Sequence, residues 1–285
     1  MAMTAAEILA HPMLEPCVRG QAQSLLQIQE ASPRIASLFA TQQRWLMSHA
    51  ALARFFRNEA KDAGSGVLAE RFLELVTRHG LASRNTASAF LKELLKYEMV
   101  RFVAGSEGRR HRPIEPAPAV LMSLFHWLAL HLATLDGFDG GARAAGLHAR
   151  PALLGAIQPL IADGLIGSGD VRKPERTFSL FTWVDEGGIV MDRLIVGCQP
   201  GADGLARIST DVTSISGLAQ RLNLSRTQLG RKFAEAAAMG SLGWSGPPGK
   251  SPLWVSADFR REYHAAQAVK LAIIDAAFEA SAVPG

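Results

Sequence analysis

The segment from Ile215 to Phe233, ISGLAQRLNLSRTQLGRKF, constrains this chain most, because its pattern occurs a second time between Val67 and Tyr97. Ile215, Leu218 and Leu222 recur at spacings of three and four, one face of a short helix, and Ala219 beside them is small enough for a second helix to approach. Asn223 follows at a corner that calls for left-handed backbone, which Asn tolerates better than most residues with a Cβ. Ser225 has the chemistry of an N-cap, and Leu229, Phe233, Ala236 and Ala237 supply the apolar stripe of the next helix. Two helices meeting at a tight turn, a helix-turn-helix, satisfy all of these positions.

The repeat sets Ser225 and Arg226 against Ser83 and Arg84 at an offset of 142 residues, and the alignment runs without a gap through both helices. Val76 then matches Leu218, and Ala87, Leu91, Leu94 and Leu95 match Leu229, Phe233, Ala236 and Ala237. Each copy continues into a β-like run (99–104 or 241–245), a turn-forming segment (105–108 or 246–249) and a second run, the signals of a two-stranded wing. Pro113 and Ile114 match Pro252 and Leu253 at an offset of 139, so the first wing is three residues longer than the second.

At 285 residues with 48% apolar content, the chain has room for two medium domains with ordinary cores. Residues 15–30 read as a helix with apolar positions Val18, Leu25, Leu26 and Ile28, and Ser32 and Pro33 restart the chain into a long helix reaching Glu59 through Ile35, Leu38, Phe39, Leu46, Leu52 and Phe55. After the first helix pair and wing, residues 119–135 form a closing helix. The segment from Asp136 to Gly141 has the composition of a flexible boundary, which divides the chain into modules 1–141 and 142–285. In the second module residues 151–162 are expected as helix, 164–169 as loop, 174–196 as a broken helix opposite the long first-half helix, and 257–280 as closing helix.

The order helix, helix, helix-turn-helix, wing, closing helix resembles the winged-helix regulators of the MarR type, whose subunits are about half this length and pair through their terminal helices. The resemblance covers Pro12 to Phe138 and Pro151 to Phe278. It implies a mostly α fold with short β-hairpin wings, two tandem winged-helix modules packed as an intrachain pseudo-dimer. The second motif alone is also similar to AraC-type motifs, but those lie closer together and lack a wing.

Such a chain is expected to bind double-stranded DNA as a transcriptional regulator of bacterial type, with a protein–protein adaptor or a ligand-sensing regulator as the alternatives. A net charge of +4 and pI near 9.3 lean toward a polyanion. A helix with a free polar face fits the major groove, and a basic hairpin reaches along the backbone or into the minor groove. In the first module the candidates are Ser83, Arg84, Asn85, Ser88, Lys92 and Lys96 on the helix and Arg109, Arg110, His111 and Arg112 on the wing. In the second they are Ser225, Arg226, Thr227, Arg231 and Lys250, while Ala234 and Ala238 stand where Lys92 and Lys96 stand in the first.

Enzymatic signals fail on inspection. Gly249, Lys250 and Ser251 end a near match to a phosphate-binding loop, but Trp244 replaces its first glycine and Pro252 begins an extended run where a helix is required. The eight histidines lack ligand spacing, so no catalytic residue, metal or cofactor is expected. Cys17 and Cys198 lie far apart, in no metal-ligand spacing, and no cationic segment precedes an apolar run at the start, so a reducing cytoplasmic location is expected, without a membrane. The apolar run from Pro118 to Leu135 carries His126 and His131 and reads as a helix buried against protein. A small-molecule effector fits the MarR resemblance. Trp45, Trp127 and Trp183 would line its cleft, or else are plain core. The oligomeric expectation is a monomer with pseudo-two-fold symmetry, or a homodimer.

Overall fold

The computed structural model describes residues 1–31, 41–182, 187–199, 201 and 204–282. In order the elements are α1 (Ala5–Leu9), α2 (Leu14–Ala31), α3 (Gln42–Glu59), α4 (Ala69–Arg78), α5 (Arg84–Lys96), β1 (Val100–Phe102), β2 (Ile114–Pro116), α6 (Pro118–Asp139), α7 (Arg143–Ala149), α8 (Leu153–Gly167) and α9 (Gly169–Arg172). They continue with α10 (Arg176–Thr182), α11 (Gly187–Gly197), β3 (Arg207–Ser209), α12 (Ile215–Leu222), α13 (Arg226–Ala238), β4 (Leu242–Trp244), β5 (Leu253–Ser256) and α14 (Ala257–Ala282). The fold is mostly α with two small antiparallel sheets, β1-β2 and β3-β5-β4. The expected restart at Ser32 and Pro33, with Ile35, Leu38 and Phe39, lies outside the described residues, as does Trp183.

The chain divides into two compact units, and the cut is not the one expected near Gly141. The first unit joins Met1–Thr4, Gln42–Arg172 and Lys270–Gly285; the second joins Ala5–Thr41 and Lys173–Val269. The reason is helix exchange. Helix α8, from the second half of the sequence, packs along α3, while α2, from the first half, packs along α11. Sequence composition reports where a chain is locally flexible, whereas a compact unit is defined by which apolar faces cover each other.

The segment read as flexible is instead pinned. Asp136 accepts hydrogen bonds from the backbone N–H groups of Arg143 (2.8 Å) and Ala144 (3.0 Å), capping α7. The buried Arg143 guanidinium reaches Asp139 (2.7 and 2.8 Å), Asp136 (3.3 Å) and the fully buried Asp275 (2.8 Å). Asp275 accepts in turn from the Met3 N–H (2.8 Å), just before α1. Gly164 and Gly167, expected in a loop, are part of α8; a Cβ at Gly164 would sit 2.5 Å from Ile273, so that glycine lets two helices approach rather than turn the chain.

The two helix pairs follow their sequence patterns closely. Helix α5 buries Ala87, Phe90, Leu91 and Leu94, and α13 buries Leu229, Phe233 and Ala236, whereas Ala237 is exposed. Each large apolar side chain so covered contributes about 1.5–3 kcal/mol. In α2 the buried face is Val18, Gln21, Ala22, Leu26 and Gln29, and Ile28 points outward. The corner Asn223 is left-handed at φ 57°, as its position predicts, and Ser225 caps α13 by accepting from the Gln228 N–H (3.4 Å). In the first pair Gly80 takes the corner at φ 60° and Ser83 accepts from the Thr86 N–H (3.2 Å).

One correction falls at this turn. Leu81 donates to Val76 O (3.0 Å) and Leu224 donates to Ala219 O (2.8 Å), so Val76 matches Ala219 and not Leu218. The first turn holds one residue more, and the alignment carries a gap there. The hairpins bear out the three-residue difference: Phe102 pairs with Ile114, and Trp244 with Leu253. The sequence reading missed β3, which pairs with β5; among the described residues the first unit has a single bridge, Val67 to Ile114, in the corresponding place. The stretch 174–196 is helical on both sides of residues 183–186, in agreement with a broken helix. Helix α6 is long and apolar enough to cross a membrane, yet Leu124, Leu128, His131, Leu132, Leu135 and Phe138 along it are buried.

Candidate nucleic-acid interface

In the first unit α5 is held by its apolar stripe and by Arg44 of α3, which donates to both carboxylate oxygens of Glu93 (2.7 and 3.3 Å) and lies over the Phe90 ring (5.6 Å). This fixes the rotation of the helix about its axis. The opposite face then presents Asn85, Lys92 and Lys96 to solvent, with Ser88 half-buried at its edge and Ser83 engaged in the cap. Lys96 lies over the exposed Tyr97 ring at 5.4 Å.

Beside this face, the loop between β1 and β2 turns through Gly105 and Gly108, both at positive φ, and buries Ser106, whose hydroxyl donates to Val103 O (2.6 Å). Arg109, Arg110, His111 and Arg112 follow, all exposed. Arg112 stacks over Phe102 at 4.1 Å, a cation–π contact, and Arg101 is neutralised by Glu115 (2.8 Å). Among the described residues, Lys92, Lys96, Arg109, Arg110 and Arg112 have no carboxylate partner.

Arg84 departs from its expected role as a free cation. Its Nη2 donates to both oxygens of Glu70, at 2.6 Å each, across the corner from α4. The Arg84 hydrogen bond holds the Glu70 carboxyl below its ordinary range, and Glu70 raises the Arg84 guanidinium in return. Sequence reasoning missed Glu70. It lies fourteen residues before Arg84, a spacing with meaning only once the turn has brought α4 and α5 together.

In the second unit α13 exposes Arg226, Thr227, Arg231, Ala234 and Ala238, with Ser225 in its cap. Lys232 is turned inward and paired with Glu235 (3.1 Å). The β4-β5 turn carries one exposed cation, Lys250, and Arg207 stacks on Trp254 at 4.2 Å. Arg226 and Arg231 have no carboxylate partner among the described residues.

Of the aromatic residues weighed for a cleft, Trp45 and Trp127 meet edge to face at 6.4 Å, with His49 4.8 Å from Trp45 and His131 4.3 Å from Trp127. The rings pack on one another. Burial holds His49 down to about 3, against a raising hydrogen bond from Gln158, and drives His131 well below its ordinary value, so both are neutral. His126, by contrast, is exposed.

No protein-family model matches the chain, and no curated protein or solved structure matches it either.

Proposed function

We propose that the chain is a sequence-specific double-stranded DNA-binding protein, a transcriptional regulator of bacterial type. In this reading two winged-helix modules of MarR-like design, fused as an intrachain pseudo-dimer, take the place of two separate subunits. It would work in the cytoplasm, where two cysteines far apart in the chain fit a reducing medium. The observation that carries the reading is the basic surface of the first unit: Lys92, Lys96, Arg109, Arg110 and Arg112 lie on one helix face and the adjoining hairpin, without carboxylate partners among the described residues. Like charges placed together repel, and a polyanion relieves that repulsion while releasing its own counterions.

Ala234 and Ala238 on the exposed face of α13 favour a protein-holding role for the second unit, the alternative reading for that half. Fluorescence anisotropy of the full chain on mixed-sequence duplex, across a salt series, tests the main proposal. Affinity should fall steeply and log-linearly with salt; binding that is absent or indifferent to salt sinks it.

A further inference from the structure

Resting on that DNA-binding reading, we propose that Glu70 is a positioning residue that holds Arg84 as a charge-neutral donor pair, directing it to the edge of a guanine in the major groove instead of to a phosphate. Three observations support this. First, the pair is exposed, with side chains 53% and 56% accessible, where an ion pair adds little to stability. Its location therefore invites a role outside folding. Arg84 opens α5, the first residue after the Ser83 cap, at the end of the helix whose polar face is free.

Second, only one nitrogen of the guanidinium is occupied. Nη2 serves both carboxylate oxygens, while Nη1 and Nε have no acceptor among the described residues. Nη1 keeps both of its hydrogens, and, held in place, it can donate to the N7 and O6 acceptors of guanine, the commonest target of a specific Arg contact. Holding the side chain beforehand also removes rotamer freedom that binding would otherwise have to freeze.

Third, the carboxylate cancels the charge that phosphate binding uses. A phosphate approaching Arg84 meets Glu70 as well, whereas a neutral base acceptor meets no such repulsion. The second unit makes the contrast within one molecule: by the register of the two corners, Thr213 stands where Glu70 stands, and Arg226 has no carboxylate partner among the described residues. Arg226 is built as a plain phosphate contact, Arg84 as a reader.

The test is selection from random duplexes with the full-length chain, its Arg84→Ala and Glu70→Gln variants, followed by anisotropy on the selected duplex across a salt series. The wild type should enrich a motif with one guanine that Arg84→Ala no longer requires. Replacing that guanine should cost the wild type roughly tenfold to a hundredfold in affinity, and the variant nearly nothing. Arg84→Ala should leave the log-affinity against log-salt slope unchanged, while Glu70→Gln should steepen it by about one and relax the guanine preference. A wild type that enriches no duplex defeats the DNA-binding reading itself. If a motif is enriched but neither variant alters it, or if Arg84→Ala flattens the slope by about one, DNA binding stands and the role given to Glu70 and Arg84 is overturned.

Discussion

The two helix pairs were drawn from one pattern, and they have kept its apolar half while parting in its polar half. Ala87, Leu91 and Leu94 match Leu229, Phe233 and Ala236 in burial as well as in register. On the opposite side Lys92 and Lys96 correspond in register to Ala234 and Ala238, four cationic or imidazole side chains on one hairpin correspond to a single Lys250 on the other, and Glu70 corresponds to Thr213. Packing tolerates little change because a lost methylene is felt throughout a close-packed core, whereas a solvated face is free to diverge. What separates the units is therefore the chemistry they offer to a partner, and each experiment below probes how deep that separation runs.

The largest effect concerns the closing helices. Arg143 joins Asp136, Asp139 and the fully buried Asp275 within the first unit, while the second unit buries a different pair, Tyr263 donating to Asp192 at 2.6 Å. Arg143→Leu strands the Asp275 carboxylate and should lower stability by about 3–5 kcal/mol, read as a shift of the urea midpoint. A loss under 1 kcal/mol would show that the cluster is better solvated than its burial implies.

Acid should act next, and on the first unit. His49 is held down to about 3 by burial, so the unfolded chain, with an ordinary imidazole near 6.5, binds the extra proton between those values. Stability on this account is full above pH 6.5 and declines as pH falls through the unfolded value, by about 2 kcal/mol at pH 5. His131, shifted the same way, adds to the decline. Urea titrations at pH 7 and pH 5 should show it, and His49→Gln should reduce the difference between them; an unchanged difference would remove His49 from the account.

The hairpins come third. Arg109→Ala with Arg110→Ala should weaken binding to a duplex by roughly tenfold and flatten the salt slope by about two, one for each lost phosphate contact. Lys250→Ala should change either quantity little. Equal losses from both hairpins would abolish the contrast between the units.

The smallest effect tests a place where the backbone agrees between the copies and the residue differs. Helix α5 ends through Glu98 at φ 56°, and α13 ends through Gly240 at φ 74°, the same left-handed position in each copy. Glu98→Gly should gain about 1 kcal/mol by removing the Cβ strain, and Gly240→Ala should lose about as much. Thermal midpoints of the two variants moving in the same direction would contradict the equivalence.

Local signals made much of this legible in advance. The N-caps Ser83 and Ser225, the left-handed Asn223, both apolar stripes and the hairpin lengths are properties of a few adjacent residues, where the energetics are settled within a turn of chain. Reading β3 was harder: Arg207 to Ser209 is three residues long, and only its pairing with Trp254, Val255 and Ser256 makes it a strand. Asp136 to Gly141 carries the composition of a linker, yet Arg143 and Asp275, the latter more than a hundred residues away, hold it in place.

The sequence by itself determined the repeat, its paired helices and hairpins, and which faces those paired helices would bury, because these depend on periodicity and on capping chemistry close at hand. Tertiary structure alone decided that α8 covers α3 and α2 covers α11, since an apolar stripe states that it must be covered and not by what. It also decided that Arg84 meets Glu70, because the turn that joins α4 to α5 brings the two charges within 2.6 Å. Charge counts along the chain record that both residues are present, but the strength of their interaction depends on separation, which only the folded chain sets.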